Sequence, residues 1–197
     1  MYEAYLLFGA PGSGKGTQGK ILGTVPRFFH LACGDVFRSL DTRSPLGKEF
    51  LAYSSRGELV PDPIVMDLWH AYIAKAERSG QFKPDIDRLV LDGIPRNVVQ
   101  AEMLADKLDV KRVFHLYCPD RDELVVRLRK RALKDNRLDD ANDAVIVDRL
   151  ATYDRETRPV LEYYGEKLVM RIDATQAPIL VTRDIVSAVS EECHAPV

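Results

Sequence analysis

The chain is poor in the features that would tie it to disulfides, membranes or nucleic acids. Its 197 residues include only three cysteines, Cys33, Cys118 and Cys193. They are odd in number, far apart and never spaced C-x-x-C, which excludes a disulfide framework and a zinc knuckle. No zinc is therefore expected, and a reducing cytoplasm is the natural setting. No apolar run approaches the ~18 residues of a membrane span. The N-terminus opens on a strand-like run instead of a signal sequence, so a cytoplasmic protein with no membrane partner is expected. An excess of one charge is lacking too. The net charge is −2, whereas domains that bind nucleic acid are usually basic overall. No nucleic-acid partner is expected, and an anionic substrate would need locally placed cations. Internal repeats and low-complexity tracts are missing. What remains, 46% hydrophobic and 29% charged residues, suits a packed globule, and the length suits one domain over residues 1–197 with a small insertion.

What is present is glycine in one place. The run Gly9-Ala10-Pro11-Gly12-Ser13-Gly14-Lys15-Gly16-Thr17 follows the apolar stretch Ala4 to Phe8 and precedes helical spacing from Gln18 to Leu22. Strand, glycine loop, helix is the context that a phosphate-binding loop requires. Glycines tolerate φ > 0, so consecutive backbone N–H groups can turn inward around an anion. The helix behind adds free N–H groups and a partial positive charge. Lys15 supplies a full charge for the outer phosphates. Gly16 stands where many such loops carry the Ser or Thr that holds Mg²⁺, and Thr17 comes one place later. That order argues against a metal ligated directly by the loop.

Further along, apolar runs at 28–31, 88–92, 113–117 and 168–172 alternate with helical patterns at 61–78, 98–108, 121–133, 143–164 and 178–192. Alternation of this kind implies right-handed βαβ crossovers and a parallel sheet covered on both faces. The expectation is a P-loop three-layer α/β fold with a five-stranded parallel sheet, whose ligands bind beyond the carboxyl ends of the strands. Residues 34–80 form a long helical excursion between two strands. Residues 134–143 are polar and have the composition of a mobile loop.

Three more motifs stand out. His30-Leu31-Ala32-Cys33-Gly34-Asp35-Val36-Phe37-Arg38 sits at a strand-to-helix junction, with Gly34 permitting the turn. Leu91-Asp92-Gly93-Ile94-Pro95-Arg96 ends a buried strand on a carboxylate, which in a phosphate-loop enzyme orders Mg²⁺ or its waters, and Gln100 follows Arg96 by one helical turn. Arg127, Arg131, Arg137 and Arg149 form a set; each alone reads as a solvated surface charge. Together they suit phosphoryl transfer, because planar, always-ionised donors match a near-planar group with charge on three oxygens.

The run GAPGSGKGTQ, with D-G-x-P-R, R-x-x-x-R and R-x-D-D in order behind it, resembles the nucleoside monophosphate kinases, adenylate kinases above all, over essentially the whole chain. The resemblance implies a short-lid form with an NMP-binding region at 34–80 and a lid at 134–143. It implies Mg-ATP as donor, AMP as acceptor and a monomer. Gly12, Ser13, Gly14, Lys15, Gly16 and Thr17 would hold the donor phosphates, with Arg127 on the donor base and Gln176 near it. Arg131, Arg137 and Arg149 would stabilise the transferring group. Cys33, Arg38, Glu58, Leu59, Val60, Gly93, Arg96 and Gln100 would take the acceptor, the arginines on its phosphate and Gln100 on its base. Asp92 and Asp35 would order the waters of Mg²⁺. Ala32 and Cys33 replace the family's usual Ser-Thr, Ile94 replaces an aromatic, and Asn97 is more like the UMP/CMP kinases. A UMP/CMP kinase and a nucleotide-binding regulator without catalysis therefore stay open as alternatives.

Overall fold

A computed structural model describes residues 1–135 and 142–194. Five parallel strands lie in the order β2-β3-β1-β4-β5. They are β1 (Tyr2–Phe8), β2 (Phe28–Ala32), β3 (Arg88–Asp92), β4 (Leu108–Tyr117) and β5 (Val169–Asp173). The helices are α1 (Lys15–Leu22), α2 (Cys33–Arg38), α3 (Pro45–Ser54), α4 (Asp62–Arg78), α5 (Val98–Leu104), α6 (Arg121–Asp135), α7 (Asp143–Thr152), α8 (Pro159–Leu168) and α9 (Pro178–His194).

The central strand shows why the sheet is covered on both faces. Ala4 through Phe8 are at most 3% exposed. Successive side chains of a strand point to opposite faces. Ala4, Leu6 and Phe8 accordingly pack with Trp69 and Ile73 of α4 and Val160 of α8. Tyr5 and Leu7 pack with Leu124 and Leu128 of α6, Ile146 of α7 and Ile185 of α9. The register pairs Leu7 and Ala32 with Asp92, so the carboxyl ends of β1, β2 and β3 finish level. The chain leaves that edge into the glycine loop, into α2 and into the turn at 93–96.

The expected strands are all present, two expected helices change, and one expected turn does not form. The span 98–108 is helical only to Leu104, because β4 begins at Leu108 against Tyr2. The span 143–164 is not one helix. A π-helical turn, Tyr153–Thr157, separates α7 from α8. Pro159 has no N–H for the Arg155 carbonyl, and the Arg158 N–H bonds the Tyr153 carbonyl at 2.9 Å, five residues back. Within α8, Gly165 is left-handed at φ 72°. The third change is at the other strand edge. Gly34 does not make a turn; α2 starts at Cys33 and Gly34 is its second residue. Of the loop expected over 134–143, Lys134 and Asp135 belong to α6 and Asp143 to α7, and Asn142 caps α7 by accepting the Ala144 N–H at 2.8 Å. The loop's interior lies outside the described residues, and with it Arg137.

Candidate functional site

Beyond the strand ends lies a cavity of about 660 Å³. Gly9 and the run from Pro11 to Thr17 line it. Gly9, Gly12 and Gly14 have φ of 148°, 87° and 100°, values that L side chains rarely adopt. A Cβ on Gly9 would lie 2.5 Å from the Leu116 carbonyl, and one on Gly12 3.0 Å from that of Leu124. The loop can therefore keep this shape only with glycine at those positions. The Lys15 ammonium folds under the loop, donating to the carbonyls of Gly9 at 2.6 Å and Ala10 at 3.1 Å. Burial pushes its pKa down to about 8; Asp92 opposes that shift, and Arg96, Arg131 and Arg149 add to it.

Asp92 faces the loop. Its Oδ2 would be 3.5 Å from a Cβ on Gly16, ordinary van der Waals contact. Arg96 swings back over the strand end, its Nε donating to the Gly93 carbonyl at 2.9 Å. Gly34 keeps the helix open for Arg38, whose guanidinium lies 3.0 Å from where a Cβ would stand. Arg38 pairs with Asp35 at 2.5 Å. Phe37 and Phe50 stack at 5.2 Å along the same wall. Cys33 lines the cavity too, and burial pushes its thiol up to about 11, against the pull of Arg96.

Two further groups of residues line the cavity. In one, Arg127 donates to the Ala174 carbonyl at 2.9 Å and pairs with Glu123 at 2.5 Å. Gln176 belongs to the same group and is held by Asp184 at 2.7 Å. In the other, Glu58, Leu59, Val60 and Gln100 line the wall with Cys33. Gln100 is fully buried. Its Oε1 accepts the Arg96 N–H at 2.8 Å, and its Nε2 donates to Asp62 at 2.8 Å. Arg131 and Arg149 line the cavity too. The structure thus brings together every expected site residue except Arg137, which is not among the described residues.

Sequence reasoning missed what three groups do. Asn97 is used in place: its Oδ1 caps α5 at the Gln100 N–H and its Nδ2 donates to Asp62 at 2.9 Å. The cap was legible, since Asn three residues before Gln fits a helix start, but the tie to Asp62 was not. Gln18, buried behind the loop, donates to the Pro178 carbonyl at 3.0 Å and accepts from Thr182 at 2.7 Å. Tyr153 and Thr157 reach the wall through the π-helical turn. Tyr153 bonds His115 at 3.2 Å. Burial first, then Arg171, Arg158 and Lys15, lower the pKa of that imidazole to about 4.

Among the described residues no cluster of three or more His, Cys, Asp or Glu could hold a metal ion without help. Asp92 beside the loop, with Thr17 following Gly16, fits a hard cation that keeps its waters and is shared with phosphate oxygens. Among the described residues no helix is long and apolar enough to cross a membrane.

Comparison with known proteins agrees with the geometry. The family model described as adenylate kinase matches residues 7–169. An adenylate kinase of Thermobifida fusca is 40% identical over 178 residues, 86% of this chain and 88% of that one. One of Bacteroides thetaiotaomicron is 35% identical over 193 residues, 94% and 97% of the two chains. One from a Cyanothece strain is 35% identical over 187 residues, 91% of each.

Proposed function

The chain belongs to the adenylate kinase family, and from that premise we propose that it moves the γ-phosphoryl group of Mg-ATP reversibly onto AMP, giving two ADP. The observation that carries the choice of acceptor is the Gln100 amide, fully buried in the cavity wall with its donor and acceptor ends fixed. An amide that donates and accepts side by side suits the N1 and N6 edge of adenine. Asn97 speaks less for a pyrimidine, because it does not line the cavity and instead caps α5 and donates to Asp62.

The roles follow from position. ATP lies with its phosphates on the loop and Lys15, and its base toward Arg127 and Gln176. AMP lies with its phosphate between Arg38 and Arg96. In-line transfer needs no covalent intermediate, so catalysis is positioning and charge neutralisation. Arg131 and Arg149 flank the path in the cavity, and the motif R-x-D-D assigns Arg137 the same task. Asp92, with Asp35 further out, would hold Mg²⁺ through waters; the ion would neutralise phosphate charge. An activity panel with AMP, UMP, CMP and GMP as acceptors tests the reading. AMP is expected to give the highest kcat/KM, and faster turnover of UMP or CMP would overturn it.

A further inference from the structure

Asp62 carries no role in the reading so far. It opens α4, does not line the cavity, and yet two amides converge on one of its oxygens. Gln100 Nε2 donates to Asp62 Oδ1 at 2.8 Å, and Asn97 Nδ2 donates to the same atom at 2.9 Å. On its other side Gln100 Oε1 accepts the Arg96 N–H at 2.8 Å. The Gln100 amide is therefore gripped at both ends. Rotating it by half a turn would set its oxygen against the Asp62 carboxylate and its NH₂ against the Arg96 N–H, two like-with-like contacts in a fully buried place, where an unpaired polar group is costly.

The grip matters because the two ends of an amide are not equivalent to a purine. A 6-amino purine offers N1 as acceptor and N6–H as donor. A 6-oxo purine offers N1–H and O6, the same two positions with the signs exchanged. The orientation that complements one edge opposes the other, and a half-turn of the amide swaps the preference. We infer that Asp62 is a specificity-determining positioning residue: by fixing which way the Gln100 amide faces, it selects 6-amino over 6-oxo purine monophosphates. This rests on the proposed AMP site and names what makes that site choose.

The test is the ratio of kcat/KM for AMP to that for IMP, in wild type, Asp62→Ala, Asp62→Asn, Gln100→Ala and the double variant Asp62→Ala with Gln100→Ala. Loss of one buried hydrogen-bond partner predicts that Asp62→Ala lowers the AMP-to-IMP ratio about tenfold while KM for ATP moves less than about twofold. Asp62→Asn keeps an oxygen for both amides and should stay within about threefold of wild type. On the Gln100→Ala background Asp62→Ala should change nothing further, the non-additivity expected of residues acting through each other. If Asp62→Ala does not fold, Asp62→Ser serves in its place, since its hydroxyl suits the first turn of α4 but is too short to reach the amides. Equal loss of AMP and IMP activity, or an undiminished effect on the Gln100→Ala background, would overturn the inference. Wild type that binds AMP in a calorimeter without phosphorylating it would overturn the proposed activity alone, and the ratio of AMP to IMP dissociation constants would then report on Asp62.

Discussion

At the scale of single residues, Lys15 is where function and stability pull apart. Its pKa lies near 8, against 10.5 for an ordinary lysine, chiefly because it is buried. The charged form is lost as pH rises through about 8, so kcat/KM for ATP should fall above that pH, and kcat at a higher pH because bound phosphate restores the proton. A kcat/KM profile level to pH about 9.5 would contradict this. The same burial makes the ammonium costly at neutral pH. Lys15→Met should therefore lower kcat about a hundredfold or more with a melting temperature no lower than wild type, and activity within tenfold of wild type would remove Lys15 from the site. Cys33 is the second residue to test. A hydroxyl there should strengthen a contact by about 0.5–1.5 kcal/mol, so Cys33→Thr should shift KM for AMP and leave KM for ATP unchanged; equal shifts would make Cys33 a packing residue. The glycine loop and Asp92 at its strand end could be read locally, because glycine spacing and a strand-ending carboxylate follow from backbone chemistry. Arg38, Arg96, Arg127, Arg131 and Arg149, which line the same cavity, each read alone as a surface charge and stood out only as a set and through the family resemblance. Gly34 was misread as a turn, since the room it leaves for Arg38 depends on a side chain a helical turn away. Asp62 and Gln18 were illegible as site residues because their partners lie 38 and 160 residues off.

At the scale of elements, strands were legible and helix interruptions were not. The strand at 88–92 is found with its expected bounds, because a short apolar run between polar neighbours has few alternatives. The break between α7 and α8 had a visible signal in Pro159, but apolar spacing continues across it, and periodicity does not register an extra residue in one turn. That π-helical turn brings Tyr153 and Thr157 to the cavity, in keeping with the frequent occurrence of such turns at functional sites. The junction of α3, α4 and α7 carries its own prediction. Gly57 is buried, with φ +71°, and a Cβ there would lie 3.1 Å from the Val145 carbonyl and 3.0 Å from the Arg149 side chain. Gly57→Ala should lower stability by about 1–3 kcal/mol through backbone strain and contact, and should lower kcat by displacing Arg149. Urea unfolding and steady-state kinetics check both, and a variant unchanged in both would separate this loop from α7.

At the scale of the whole molecule, two imidazoles inside the fold set its acid limit. His30 Nε2 is buried without a hydrogen-bond partner among the described residues, its ring filling the space over Gly19. Burial lowers the pKa of His30, and that of His115 to about 4, from the ordinary 6.5. Below about pH 6.5 the unfolded chain takes up protons that the folded chain still refuses. Stability should therefore be full above that pH and decline as it falls, down to about 4 for His115; urea midpoints at about pH 7.5 and 5 measure it, and equal midpoints would count against it. The bond from Gln18 to Pro178 reaches further, since it joins positions 160 apart. During synthesis the glycine loop leaves the ribosome long before α9. A nascent chain carries the loop, Lys15 and most of the arginines long before anything can satisfy the Gln18 amide or wall the donor base. Grip on ATP should thus arrive only once α9 has been made: a chain ended before Pro178 should fail to hold on an ATP-linked resin that retains the 197-residue chain, and retention of the shortened chain would show that the loop alone suffices.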